Sequence, residues 1–376
     1  MSGLPKVAVT LTQCWHRVPG GTASAALGLV RALVAAGELD LVGVGPSGEL
    51  RRPRTWSAAS SPPSPWTPPI PVARLPLPLP LLYDAWERTG RPSIEAATGL
   101  VDLVHLTVPM RAPLGRAPLV ATVNDLFPLH DGMHPEGRGA RLMRAGLHWI
   151  RDHAARVIVP SRATADDCVA AGFDERRLRV VPYGVDPVDV DDERAAEVAD
   201  RHGLRAPFVL FVGTLEPRKN LATLVDAMCS LGRPELTLAL AGPAGWGEAD
   251  ELPDVPFPVA RLGFVPSGDL PGLMRAANAF CFPSSAEGFG LPVLEAMAAG
   301  AAIVTSSTTS TAEVAGDTAL LVDPARPEDL SSALASLLDD ESLARRLRAA
   351  ARERAGRWTW DETARLTTSV YAEVLT

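Results

Sequence analysis

Long apolar runs are missing from this sequence. No uninterrupted stretch reaches the roughly 18 residues a spanning helix needs, so contact with a membrane is expected from one side at most. The start, MSGLPK, passes straight into a strand-like run without the apolar core of a signal peptide, which predicts a cytoplasmic protein. Cysteine is scarce and unpaired: Cys14, Cys168, Cys229 and Cys281 form no C-x-x-C. They exclude a disulfide or zinc framework and read as small buried hydrophobes in a reducing compartment. Aromatic residues make up only 5%. Positive charge is also short, and a net charge of −8 argues against nucleic acid as a partner. No dinucleotide G-x-G-x-x-G occurs; Gly20-Gly21 has a different spacing. The acidic run at 188–200 lies on a surface-type stretch and does not read as a metal site, so neither metal nor cofactor is expected.

What the chain does have is alternation. At 376 residues, 47% of them hydrophobic, it is long enough for two α/β cores. A β-branched strand at 6–11, a glycine loop, an apolar helix from about Thr22 to Ala36 and a strand at 40–44 make a βαβ start and predict a parallel sheet. The prolines crowding 51–80 predict an exposed loop of polyproline character with no regular element. Strands return at 100–106 and 119–123, the second followed at once by Asn124-Asp125. Polar residues past the carboxyl end of a parallel strand line the crevice where open α/β sheets bind ligands, which makes His105 and Asp125 site candidates. A buried, hydrogen-bonded histidine and a helix-capping aspartate are the alternatives. The stretch from Arg138 to Arg156 is a basic amphipathic helix; it suits an anionic membrane face or acceptor, or a core helix with a solvated arginine face. Ser161 is placed to cap the next helix. A second α/β series begins at 208–212, with the loop GTLEPRKN at 213–220, a strand at 236–241, a strand–helix pair over 259–278, the run 279–282 leading into a glycine loop, strands at 302–305 and 319–322, and closing helices at 327–339, 341–356 and from about Trp360 to Leu375.

The chain is organised around 282–300, FPSSAEGFGLPVLEAMAAG: strand end, glycine loop, helix. Gly288 and Gly290 allow close backbone approach, and Pro292 suits the first helical turn. The free N–H groups and dipole of that turn favour an anion, so a phosphate is the natural guest. Glu287 lies in the loop and Glu295 just inside the helix.

GTLEPRKNL, AGPAGW, LGFV, PSSAEGFGLPVLEAMAAGAAIVTS, AEVAGDTALLVDP and RWTW stand in an order that resembles the family-4 glycosyltransferases. The resemblance covers the C-terminal half; DLVHLT, VNDLFPL, VIVPSRAT and VVPYGVD carry it more loosely through the N-terminal half. It includes bacterial mannosyl- and rhamnosyltransferases of cell-surface glycan synthesis. It implies a GT-B fold: two tandem Rossmann-like doubly wound domains facing a cleft, 1–187 for the acceptor and 188–359 for the nucleotide sugar, with 360–376 crossing back to the first. It also implies a retaining hexosyltransferase, GDP-mannose being the expected type of donor, with a sugar, lipid-linked or small-molecule acceptor. Retention is taken in the family as front-face attack, the leaving phosphate accepting the acceptor's proton.

Carried onto this chain, the resemblance gives Glu287 to the donor sugar and Glu295 to the ribose. Arg218, Lys219 and the backbone at Gly288, Phe289, Gly290 and Leu291 fall to the diphosphate, with Gly20, Gly21, Gly213 and Thr214 beside it. The base lies near Phe264 and Val265, while Asp125 joins the catalytic set and His105 and Asn124 stand on the acceptor side. Fixed cations and N–H dipoles would stabilise the leaving nucleoside diphosphate without a metal. Three departures stand out: Thr214 replaces a common arginine, Asn124 a common histidine and Tyr183 a common asparagine. Two other readings are a sugar-nucleotide epimerase of the same fold and a non-catalytic nucleotide-sugar-binding subunit.

Overall fold

The computed structural model describes residues 3–16, 19–50, 66–245 and 252–375. The chain divides into two compact units, 1–184 with 360–376, and 185–359. In chain order unit 1 contains β1 (Lys6–Thr10), α1 (Gly20–Ala36), β2 (Asp40–Gly45), β3 (Val72–Arg74), α2 (Leu81–Thr89), α3 (Glu95–Thr98), β4 (Leu103–Leu106), β5 (Leu119–Thr122), α4 (Arg138–His153), β6 (Arg156–Val159), α5 (Arg162–Ala170) and β7 (Leu178–Val180). Unit 2 contains α6 (Asp192–Arg201), β8 (Phe208–Val212), α7 (Leu221–Leu231), β9 (Thr237–Ala241), β10 (Val259–Gly263), α8 (Leu270–Ala276), β11 (Ala279–Phe282), α9 (Leu291–Ala299), β12 (Ile303–Ser306), α10 (Ser310–Ala315), β13 (Leu320–Val322), α11 (Pro327–Asp339) and α12 (Glu341–Ala355). The last helix, α13 (Trp360–Leu375), belongs to unit 1. No described helix is long and apolar enough to cross a membrane.

Both sheets are parallel. Unit 1 has the order β3-β2-β1-β4-β5-β6-β7 and unit 2 the order β10-β9-β8-β11-β12-β13. Central strands such as FVLFV of β8 are apolar at every position because helices cover both faces. In unit 1, Val7, Val9, Val120 and Ile158 pack with α1 and α13, while Ala8, Val104, Ala121 and Val157 pack with α2, α4 and α5. In unit 2, Val209, Phe211, Cys281 and Val304 pack with α7, α11 and α12. The strand order reverses between β1 and β4 in one sheet and between β8 and β11 in the other. Open α/β sheets bind ligands beyond the carboxyl ends of the strands at such reversals. The loops after β8 and β11 are those that carry Arg218, Lys219 and Glu287.

The C-terminal helix α13 is bound into unit 1 by three devices. A Cβ at Gly28 would stand 2.3 Å from Trp360, so only glycine admits the indole against α1. The Tyr371 hydroxyl meets His105 Nδ1 at 2.7 Å, and His105 Nε2 meets Thr122 at 2.8 Å. Glu373 bridges Arg156 at 2.8 Å and Arg179 at 2.6 Å.

The structure corrects several expectations. Helix α1 starts at Gly20, not Thr22, so Gly20 and Gly21 form its first turn and are not loop residues. Residues 51–65 lie outside the described residues, but the proline-rich stretch does hold a strand, β3. Pro71 and Pro76 flank its three residues; the Pro71 carbonyl accepts from Gly43 at 2.8 Å and Leu75 donates to Gly45 at 2.9 Å. An edge position tolerates proline because a ladder is needed on one side only. Helices α2 and α3, short pieces between proline and glycine, escaped the periodicity reading. Arg156 opens β6 and does not close the preceding helix.

Candidate functional site

In unit 2 the loop after β8 tightens into a turn at Pro217–Lys219 that ends on Asn220, φ 60°. This left-handed residue is held by its own amide, which donates to the carbonyls of Pro283 at 3.1 Å and Pro324 at 2.6 Å. The turn directs Lys219 inward, 7% exposed, its ammonium 4.6 Å from the Phe282 ring centroid and bonded to Glu287 Oε1. Arg218 reaches the same oxygen at 3.2 Å and Glu216 at 2.9 Å. The second loop is tied to the first where Ser285 N–H donates to the Arg218 carbonyl at 2.8 Å.

The Glu287 loop is also held from behind. Ser310 Oγ donates to the Glu287 carbonyl at 2.8 Å. Gly290 caps α9 at φ 96°, and a Cβ there would come within 2.6 Å of Thr311 Cγ2. Pro292 lies in the first turn of α9, and Phe289 packs edge-on against Trp358 with ring centroids 5.7 Å apart. Gly288, Phe289 and Gly290 are buried and Leu291 half-buried.

The electrostatics follow. Burial alone would push the Glu287 carboxyl up, but Lys219 and then Arg218 overcome it and hold the group below the usual range. Burial draws Lys219 down, with Glu287 opposing. Glu295, half-buried on α9, is pushed up to about 7, by burial first and by Asp186 second. The cluster thus presents two cations bridged by one carboxylate beside a helix N-terminus, an arrangement suited to an anion and to hydroxyls together.

The remaining candidates are spread over both units. Gly213 N–H donates to Ala241 at 2.9 Å, and Thr214 follows it, half-buried. Phe264 is 45% exposed and Val265 buried, just past β10, at the edge of the second sheet. In unit 1, Gly20 and Gly21 are exposed at the start of α1. Asp125 is half-buried after β5, its Oδ1 accepting from Phe127 N–H at 3.2 Å, an Asx turn two residues long. Asn124 Oδ1 accepts from the Tyr183 hydroxyl. His105, expected on the acceptor side, is fully buried with both ring nitrogens engaged by Tyr371 and Thr122, so in this structure it is a core residue holding α13. Along α4, Arg138 pairs with Asp84, Arg141 with Glu87, Arg144 with Glu136 and Arg151 with Asp152. Its basic face is therefore met by carboxylates, two of them from α2.

Sequence reasoning missed Glu216, Ser310 and Thr311. Ser310 lies 23 residues from the carbonyl it holds, and no local pattern marks such a bond.

Two parallel doubly wound α/β units, with cations and glutamate at the strand reversal of the second, define the GT-B architecture. The model described as Glycosyltransferase Family 4 matches residues 19–189, and that described as Glycosyl transferases group 1 matches 194–354. The chain is 33% identical over 307 residues to D-inositol 3-phosphate glycosyltransferase of Jonesia denitrificans, covering 73% of this chain and 72% of that protein. It is 32% identical over 252 residues to the O-antigen chain mannosyltransferase B of Escherichia coli, spanning 63% of this chain and 65% of that one. Among solved structures, Anabaena HepE in complex with UDP and glucose superposes with a TM-score of 0.74 at 19% identity, over 98% of this chain and all of that one. WaaG, a glycosyltransferase involved in lipopolysaccharide biosynthesis, gives 0.70 at 16% identity, over 97% and 99%. The chain belongs to glycosyltransferase family 4, among relatives that include an O-antigen chain mannosyltransferase.

Proposed function

We propose that this chain transfers a hexosyl group, mannosyl in type, from a nucleoside-diphosphate sugar to an acceptor hydroxyl with retention and without a metal. The observation that carries the reading is the cluster of Lys219, Arg218 and Glu287 beside the first turn of α9. Lys219, Arg218 and the N–H groups of that turn hold the diphosphate and stabilise the charge that grows on it as the glycosidic bond breaks. Glu287, ionised by the same cations, takes donor-sugar hydroxyls, and Glu295 takes the ribose. Unit 2 is the donor unit and unit 1 the acceptor unit. Mannose is favoured because mannosyltransferases stand among the relatives, and a nucleotide sugar because structural neighbours carry UDP or UDP-glucose.

The first experiment is a thermal-shift panel of GDP-, UDP-, dTDP- and ADP-sugars, followed by transfer assays with the sugar that shifts most. Ligand at a hundredfold over its dissociation constant stabilises by about 2.7 kcal/mol. Lys219→Ala is expected to lose about 10²–10³ in turnover at saturating donor while remaining folded. Near-normal turnover would remove the phosphate role. Activity is expected to persist in EDTA; loss in chelator with recovery on Mg²⁺ would overturn the metal-free mechanism. Formation of a 2-epimer without acceptor would favour the epimerase reading.

A further inference from the structure

We propose that Tyr183 is a positioning residue that locks the Asn124 amide, so that its NH₂ group stands as a hydrogen-bond donor at the carboxyl end of β5. The ligand it would meet is an oxygen lone pair, from a sugar hydroxyl or a phosphate. The inference rests on the transferase reading and deepens it.

Asn124 lies two residues beyond β5, at its carboxyl end, and is half-buried. An amide has an acceptor end and a donor end and can present either unless a neighbour chooses. Here the Tyr183 hydroxyl donates to Oδ1 and occupies the acceptor end. The donor itself is fixed. Tyr183 is 8% exposed, and its ring leans on Trp360 with centroids 6.2 Å apart. Trp360 in turn is seated on Gly28 of α1. Burial first and Asp125 second raise the phenol far above the usual tyrosine range, so it remains a donor throughout working pH. Asp125 Oδ1 accepts from the Phe127 N–H. Residues 124 and 183, 59 positions apart in the chain, are joined in one hydrogen bond.

A double-mutant cycle tests this, with donor and acceptor concentrations varied separately. Tyr183→Phe keeps the ring and its packing, so its melting temperature stays near that of the native chain. Tyr183→Phe and Asn124→Ala are each expected to lower kcat/KM about tenfold, and the double variant to be no worse than Asn124→Ala. Asn124→Asp keeps an oxygen for Tyr183 but loses the NH₂ group, and is expected to fall as far as Asn124→Ala; a structural pairing alone would leave it active. A raised KM for acceptor identifies the lone pair as an acceptor hydroxyl, and a raised KM for donor identifies it as the donor's. Native-like activity of Tyr183→Phe or Asn124→Asp, or losses that multiply in the double variant, would overturn the lock. A second readout is independent of transfer. In ¹⁵N-labelled ligand-free protein, the side-chain amide pair missing from Asn124→Asp should shift in Tyr183→Phe, and an unshifted pair also overturns the lock. Absence of sugar transfer by the native chain, with that shift present, would count against the function and leave the lock standing.

Discussion

Glu295 faces an electrostatic conflict within unit 2. Its carboxyl moves from an ordinary 4.5 to about 7 because burial disfavours the charge and Asp186 adds repulsion. The folded state therefore holds a proton that the unfolded chain releases. Stability is full below about 4.5 and falls as pH rises towards 7, by a few kcal/mol at most. Glu295→Gln removes the titration. Its melting temperature is expected to vary less than the native value between pH 5 and 7.5, and to exceed it at pH 7.5, while affinity for a nucleoside diphosphate drops. An unchanged pH profile in the variant would assign the titration to another group. The pairing of Glu287 has the opposite sense: its cations hold it ionised, so it contributes stability above the ordinary carboxylate range and loses it only in acid.

At the scale of the element, α13 shows how a terminal helix is retained by specific groups as well as by apolar contact. Val370, Tyr371 and Ala364 join the core against α1, and the Tyr371 hydroxyl satisfies buried His105. Tyr371→Phe would leave His105 Nδ1 without its partner inside the sheet, at a cost of about 1–3 kcal/mol. A drop of several degrees in melting temperature and faster amide exchange across α13 are expected; unchanged melting and exchange would show that the bond carries no weight. Helix α4 shows the converse. Its arginines recur on one face as a membrane-binding helix would require, yet Asp84 and Glu87 of α2 meet two of them. Attraction to an anionic surface has to compete with those pairs.

For the whole molecule, the two units should respond to pH in opposite directions. Burial lowers His105 to about 3, so it stays neutral in the fold while the unfolded chain protonates near the ordinary 6.5. The contribution of His105 to unit 1 is therefore full above about 6.5 and is lost as pH falls towards 3; half-buried His16 shifts the same way. Asp167, raised by burial, works against these two histidines. In unit 2 the same acidification, from pH 7 to 5, relieves Glu295. Hydrogen exchange read on peptides from β4 and β5 should quicken over that range while exchange from β11 and α9 slows. Parallel changes in both would overturn the assignment of these groups.

The order of strands and helices was readable from the chain because its signals are local: β-branched runs, helical periodicity, and glycine or proline at the ends. The loop around Glu287 was readable for the same reason, since glycines, a first-turn proline and two glutamates lie within one short stretch. Ser161 caps α5 as its position implied, accepting from Thr164 N–H at 3.0 Å. What escaped was pairing. Whether His105 faces a ligand or a core depends on Tyr371, 266 residues away, and the orientation of Asn124 depends on Tyr183, 59 residues away. The arginines of α4 form a basic face in sequence, but α2 brings carboxylates to it. Strand β3 was hidden because proline density argues against a ladder, whereas an edge strand needs only one. Local propensity thus determined the elements and the loop around Glu287, while the tertiary structure decided which polar side chains remain available, because hydrogen bonds depend on distances that only folding sets.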